Sequence, residues 1–318
     1  MIEMKIVFME ADTYGDDIDL TKFSQLGEVE IYPETDPEKN PHRIKDADVV
    51  VVNKTLMNEP TLKLASNLKL IAVAATGTNN VDFDYVNKRG IKVCNVGGYS
   101  TMSVAQHTFA LALYLYEKLP YYDNFVKSGK YSATDLFTHM GRTFHELDGK
   151  VWGIFGLGAI GKKVAEIAGT FGCHIIYTSS TGKNTSGEYE CVDFDTLLAQ
   201  SDILSIHAPL HEKDKSIFNY SAFSKMKRDA LLINVARGPI VNQADLAKAL
   251  DDGLIAGAGI DVFDTEPIAS DDPLLRIKDS SKLIMTPHIA WATVEARTRC
   301  LEEVYNNIST WKKENGVS

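Results

Sequence analysis

A chain of 318 residues with 44% hydrophobic and 24% charged residues has the composition of a soluble globular protein, and its length favours two cores over one. The net charge of −10 argues against a nucleic-acid or anionic-membrane surface. The opening MIEMKIVFMEAD has an early acidic residue and too short an apolar run for a signal peptide, no apolar run is long enough for a bilayer, and Cys94, Cys173, Cys191 and Cys300 form no C-x-x-C pair; together these predict a cytoplasmic protein with reduced thiols and no metal site.

Residues 5 to 100 alternate between strand and helix patterns. Strands are predicted at Lys5 to Phe8, Val29 to Tyr32, Ala47 to Val52, Leu70 to Ala74 and Ile91 to Cys94. Short helical segments are predicted at Leu20 to Leu26, over Leu62 to Leu68, and around Tyr85 and Val86. Such alternation implies a parallel sheet covered on both faces. Two strand-end loops have the chemistry to meet an anion. Thr76 and Gly77 follow a strand and offer backbone N–H groups, or they form an ordinary strand-to-helix turn. Lys54, after the third strand, faces either a substrate or water.

From Thr101 the pattern SVAQHTFALALYLYEKL is a long helix, apolar on too many faces for a surface position, and so expected between domains or subunits. His107 within it reads as a core or interface histidine. Residues 120 to 149 are less regular. The stretch KVWGIFGLGAIGKKVAEIAGTFGCHIIY, Lys150 to Tyr177, then reads as strand, tight turn, helix and strand, with Gly156, Gly158 and Gly161 forming G-x-G-x-x-G at the strand-to-helix junction. One glycine permits the turn, one lets the backbone approach a pyrophosphate, and one lets helix and strand pack closely; the helix N-terminus offers free N–H groups to the phosphates. Further strands are predicted at Ile203 to His207, Leu231 to Asn234 and Ala256 to Asp261, with helices at Phe194 to Gln200, around Phe223 to Met226, and at Gln243 to Asp252. Trp291 to Lys313 is predicted as a helix that returns to the first domain. The domain expectation is therefore residues 1–100 with 289–318 for one domain and 101–288 for the dinucleotide-binding domain, joined by two crossings with a cleft between them.

Four segments fall near strand carboxyl ends on the side of the glycine turn: HAPL at 207–210, NVARGPIV at 234–241, AGIDVFDTEP at 258–267 and TPHIAWAT at 286–293. Taken singly, Arg237 reads as a surface arginine, Glu266 as a turn residue before Pro267, and His288 as a loop histidine. Taken together and in this order beside GLGAIG, the set resembles the D-isomer-specific 2-hydroxyacid dehydrogenases, from VNKT at 52–55 to the final helix. The HIAWAT form of the histidine motif is most similar to the glycerate dehydrogenase (hydroxypyruvate reductase) branch.

The resemblance implies two doubly wound parallel-sheet domains, a Rossmann nucleotide-binding domain inserted into a flavodoxin-like substrate domain. It implies that His288 is the general acid–base, that Glu266 orients the imidazole, and that Arg237 holds the substrate carboxylate and polarises the carbonyl. Lys54, Thr76 and Gly77 join Arg237 and His288 as substrate-binding residues. The cofactor would be lined by Gly156, Leu157, Gly158, Ala159, Ile160 and Gly161, by Thr178, Ser179 and Ser180, by His207, Ala208 and Pro209, by Val235, Ala236 and Arg237, and by His288 and Ala290, with Asp261 bonding the nicotinamide carboxamide. One departure concerns the second strand of the nucleotide domain. NAD-using relatives usually carry an acidic residue at its end, whereas Tyr177 to Lys183 here has none. The hydroxyls and Lys183 suit a 2′-phosphate, although no arginine is present, so the lean is slightly toward NADP or dual use over NAD alone. The expected reaction is hydride transfer between NAD(P)H and a small 2-keto acid, first hydroxypyruvate/D-glycerate, by a homodimer without metal. The alternatives are an NAD(P)H-sensing binding protein of the corepressor type and a phosphite dehydrogenase-like enzyme.

Overall fold

The computed structural model describes residues 4–180 and 187–316. Thr181, Gly182 and Lys183, named above for a 2′-phosphate, lie outside the described residues. The chain divides into two compact units, Met1–Ser100 with Ala292–Ser318, and Thr101–Trp291.

The first unit holds a parallel five-stranded sheet of β1 (Lys5–Phe8), β2 (Glu28–Ile31), β3 (Val49–Val52), β4 (Leu70–Val73) and β5 (Lys92–Asn95), in the order β2-β1-β3-β4-β5. Near-continuous apolar strands suit a sheet buried on both sides. Successive side chains alternate between two cores. Ile6, Phe8, Leu70 and Ala72 face one core; Val7, Met9, Ile71 and Val73 face the other. The C-terminal helix Val294–Glu314 buries Leu301, Val304, Ile308 and Trp311 in the first of these cores, and Thr293 caps its start by accepting from the Ala296 amide.

The second unit holds a seven-stranded parallel sheet of β6 (Val151–Phe155), β7 (His174–Thr178), β8 (Glu190–Cys191), β9 (Ile203–Ile206), β10 (Leu231–Asn234), β11 (Gly257–Ile260) and β12 (Leu283–Met285), ordered β12-β11-β10-β9-β6-β7-β8. The order runs outward from β6 in both directions, which is the doubly wound Rossmann pattern with the reversal between β6 and β9. The helix Thr101–Tyr116 was expected between domains or subunits. Many of its apolar residues complete this unit's own core, where Val104, Phe109, Ala112 and Leu115 pack with Trp152, Ile154, Val164 and Ala168. Fully buried Trp152 keeps its indole N–H satisfied on the Ser205 hydroxyl at 2.9 Å.

Several elements differ from the sequence expectation. Residues Leu119–Lys127 form a helix within the stretch expected to be irregular; Lys118, at φ 56°, breaks the chain from the preceding helix, and Pro120 starts the new one. None of its residues is buried, so its apolar spacing reports a surface rather than a core. Strand β8 was not anticipated, being two exposed residues without an apolar run, whereas β12 is the short strand expected before the TPHIAWAT segment. The helix expected over 62–68 is the single turn Glu59–Leu62, capped by Asn58 and begun at Pro60.

Candidate functional site

The glycine turn uses its three glycines differently. Gly156 follows β6 at φ +98°, and a Cβ there would stand 2.7 Å from the backbone of Ala208, so both conformation and space require glycine. Its amide donates to the Thr178 carbonyl at 3.0 Å. A Cβ on Gly161 would lie 2.3 Å from the Gly156 carbonyl oxygen, which is the close helix–strand contact. Gly158 faces open space and caps the helix Ala159–Thr170 with no side chain on the first amides. Open amides at a helix N-terminus, beside the reversal of strand order, fit a pyrophosphate.

At the end of the neighbouring β9, His207 places Nε2 3.0 Å from the Ser205 hydroxyl, and its buried Nδ1 has no partner among the described residues. Burial pushes this imidazole down to about 3, so it is neutral. Leu157 and Ala208 are buried within the turn, while Ser180 is buried after β7. Thr178 donates its hydroxyl to the Val192 carbonyl at 2.9 Å.

Arg237, Glu266 and His288 come from the loops after β10, β11 and β12, which are successive neighbours in the sheet. The buried Asn234 side chain braces the first loop, donating to the Arg237 carbonyl at 3.0 Å and accepting from the Ala236 amide at 3.1 Å. Half-buried Arg237 donates one Nη1 bond to the Ala236 carbonyl at 2.7 Å, which leaves the rest of its fork for a ligand. Gly238 brings this loop against the next: a Cβ there would overlap the Phe263 carbonyl carbon at 2.0 Å. Glu266 accepts from the Phe263 amide at 3.0 Å with one oxygen and faces His288 Nδ1 at 2.7 Å with the other. An ionised carboxylate only accepts, so Nδ1 carries the hydrogen and Nε2 is left for proton exchange. Buried Gln243 steadies the same segment, accepting from the Asp264 amide at 2.5 Å and donating to Asp272 at 2.7 Å.

His288 has φ +55°, uncommon for a residue with a Cβ. Asp261 holds it there. Its backbone carbonyl accepts from the His288 amide at 2.8 Å, and its carboxylate accepts from the Thr286 hydroxyl at 2.5 Å and from the Ile289 and Ala290 amides at 2.9 Å each. His107 Nε2 lies 3.0 Å from that hydroxyl and 3.5 Å from the carboxylate. Burial raises the Asp261 pKa, but His107, Thr286 and the two amides outweigh it and hold the carboxyl below its ordinary range. The Asp261 side chain is 0% exposed.

In the first unit, Lys54 and the Thr76–Gly77 loop follow the adjacent strands β3 and β4. Thr76 donates its hydroxyl to the Val96 carbonyl at 3.0 Å, and Asn95 donates to the Thr76 carbonyl at 2.8 Å. Lys54 is exposed, and its amide is fixed by Glu10. Glu10 itself is 4% exposed and also accepts from the Asn53 and Thr55 amides at 2.6 and 2.8 Å and from the Thr55 hydroxyl at 2.6 Å. Sequence reasoning missed Glu10, Asn234 and Gln243, and the link that Thr286 makes between Asp261 and His107. Glu10, Asn234, Asp261 and Thr286 are polar side chains at strand ends, and Gln243 and His107 are polar side chains on helices; pattern alone separates neither from surface residues.

Burial pushes the thiols of Cys94 and Cys173 up to about 11 and that of Cys300 up to about 12, which disfavours the thiolate at all three; Cys173 and Cys300 are buried and Cys94 is half-buried. Among the described residues no group of three or more His, Cys, Asp or Glu side chains is placed to hold a metal ion, and no helix is long and apolar enough to cross a membrane.

Comparison with known proteins gives this geometry a family. Residues 109–290 match the model described as "D-isomer specific 2-hydroxyacid dehydrogenase, NAD binding domain". A hydroxypyruvate reductase of Blautia hydrogenotrophica is 36% identical, covering 99% of both chains. A glycerate dehydrogenase of Methylorubrum extorquens is 35% identical, covering 96% of both. The crystal structure of an NADPH-dependent glyoxylate/hydroxypyruvate reductase from Sinorhizobium meliloti, in complex with NADP and malonate, superposes with a TM-score of 0.80 at 26% identity, covering 97% of this chain and 93% of that one. The coverage is nearly end to end and the relatives are enzymes, so the chain belongs to the D-isomer-specific 2-hydroxyacid dehydrogenase family and is an oxidoreductase with an NAD-binding Rossmann domain.

Proposed function

We propose that the protein reduces hydroxypyruvate to D-glycerate, with glyoxylate and pyruvate as poorer substrates. The observation that carries this reading is the His288 Nδ1–Glu266 pair at 2.7 Å in a loop pinned by Asp261. The hydroxypyruvate reductase and glycerate dehydrogenase relatives support the substrate choice. When bound, the nicotinamide supplies the hydride. Arg237 grips the substrate carboxylate and draws electron density from the carbonyl oxygen. His288 delivers the Nε2 proton to that oxygen as it gains negative charge, and Glu266 keeps the ring in place and stabilises the imidazolium before transfer. Thr76, Gly77 and Lys54 are assigned to the carboxylate. Asp261 is assigned to the His288 loop, because its carboxylate oxygens already accept from that loop.

For the cofactor, the turn at Gly156 to Gly161 and the neutral residues Thr178, Ser179 and Ser180 accept NAD or NADP, and the absence of a carboxylate after β7 favours NADP or dual use. Initial rates with hydroxypyruvate, glyoxylate and pyruvate, each with NADH and NADPH, test both choices. Fast turnover with hydroxypyruvate is expected, and no turnover with any of the three acids would reject the substrate assignment. Replacing His288 by alanine is expected to lower turnover by about 1,000-fold with nucleotide affinity kept; near-normal turnover would remove it as the acid.

The protein is assigned as a homodimer. Val126, Leu136, Phe137, Met140 and Phe144 are all exposed, Phe137 at 90% and Met140 at 80%, and an apolar surface of this kind calls for a partner. Sedimentation showing only monomer would overturn the assignment. The four free cysteines support a reducing, cytoplasmic setting.

A further inference from the structure

The end of β7 supplies hydroxyls but no cation among the described residues. A cation arrives there from a distant part of the sequence. Lys213 sits in the short turn Glu212–Asp214 after β9, and its ammonium donates to the carbonyl of Ser180. Strands β9 and β7 flank β6 on opposite sides, so this bond spans the carboxyl end of β6, where the glycine turn lies. The ammonium has no carboxylate partner among the described residues. Its neighbour Glu212 is paired with Lys215 at 2.8 Å, and Asp214 is buried. An exposed ammonium held by one neutral carbonyl gains by exchanging that bond for a doubly charged phosphate.

We propose that Lys213 is the residue that recognises a 2′-phosphate on the adenosine of the dinucleotide, and so sets the preference for NADP. The ribose of a dinucleotide lies at the end of the second strand, here β7, which is where the ammonium is held. Thr178 has its hydroxyl committed to Val192, so the contact falls to Lys213, whose ammonium is already held at Ser180. This inference rests on reading the glycine turn as a nicotinamide dinucleotide site. It adds a determinant outside the G-x-G-x-x-G unit that the neutral strand end alone does not reveal.

The test uses binding by the full chain, independent of turnover. Titration calorimetry compares adenosine 2′,5′-bisphosphate with adenosine 5′-monophosphate, which differ only in the 2′-phosphate. The wild type is expected to bind the bisphosphate at least about tenfold more tightly, and Lys213→Gln to lose about tenfold for the bisphosphate while the monophosphate changes by less than about twofold. Lys213→Arg should keep the preference, and the wild-type preference should weaken with salt. If Lys213→Gln keeps the full preference, Lys213 is not the determinant, although the lean toward NADP stands. If the wild type shows no preference, the lean itself fails and the assignment of Lys213 falls with it. Lys213 is exposed, so these variants leave the core untouched.

Discussion

Each unit has a doubly wound sheet, and in each the strand order reverses at one place: between β1 and β3 in the first unit, and between β6 and β9 in the second. Ligands of such sheets bind outside the carboxyl ends of the strands at that crevice. The two crevices are finished in opposite ways. In the first unit Glu10, following β1, collects the amides of Asn53, Lys54 and Thr55, following β3. The backbone donors that an incoming anion would use are already occupied by the chain's own carboxylate. In the second unit Gly156 makes room against Ala208, Gly158 faces open space, and His207 Nδ1 waits without a partner among the described residues. The topology provides a crevice in both units; local chemistry decides which one takes a nucleotide.

The strongest way to break the comparison is to close the open crevice. Gly156→Ala adds a Cβ 2.7 Å from the Ala208 backbone at a φ of +98°. The turn must shift, and NADPH affinity measured by calorimetry is expected to fall more than about 100-fold. Affinity kept within a few-fold would mean the nucleotide does not depend on this turn.

A smaller effect is expected where a carboxylate organises the His288 loop rather than fills a crevice. Asp261→Asn replaces one acceptor of the Ile289, Ala290 and Thr286 bonds with a donor, at a cost of about 1–3 kcal/mol shared between stability and loop order. Turnover is expected to fall by about tenfold to a hundredfold while NADPH affinity changes by less than about threefold. Equal losses in both would place Asp261 on the cofactor instead. Smaller again is Glu10→Gln, which keeps a neutral oxygen for the three amides but removes the charge they point at and puts a donor where Oε2 accepts from the Thr55 hydroxyl. Urea unfolding is expected to show about 1–2 kcal/mol lost, with NADPH affinity unchanged. A loss of NADPH binding in that variant would contradict the division of labour between the crevices.

The open crevice was legible in the sequence because glycines at fixed spacing between a strand and a helix have few other uses; Gly156 and Gly161 each meet a separate steric demand, and Gly158 leaves the helix start open. The parallel sheets were legible because strands such as Val49–Val52 are apolar throughout. The closed crevice was not legible. Glu10 looks like any acidic residue after a strand, and only the pairing of β1 with β3 brings it to residues 53–55. The same holds for Asp261, whose partners follow β12, and for Lys213, whose partner follows β7. Contacts between strand ends distant in the sequence depend on strand order, which periodicity does not encode. The helix Leu119–Lys127 escaped for another reason: its apolar side faces outward, so the pattern did not match a buried stripe.

The finest difference between the crevices is a proton. Glu10 has its acceptors filled, whereas His207 is a base held neutral by burial, with its pKa lowered to about 3. An unfolded histidine takes up a proton near pH 6.5, so between about pH 6.5 and pH 3 the unfolded chain binds a proton that the folded chain refuses. Stability must therefore fall as pH drops through that window. Because the ring is partly exposed, the expected contribution between pH 7 and pH 5 is discounted to about 1 kcal/mol. His207→Gln keeps a polar side chain near Ser205 and removes the titration. Urea unfolding at a series of pH values should show the variant losing about 1 kcal/mol less than the wild type on acidification. Parallel profiles for the two proteins would mean that His207 takes up its proton in the folded state, and that the open crevice carries a charge there rather than a neutral imidazole.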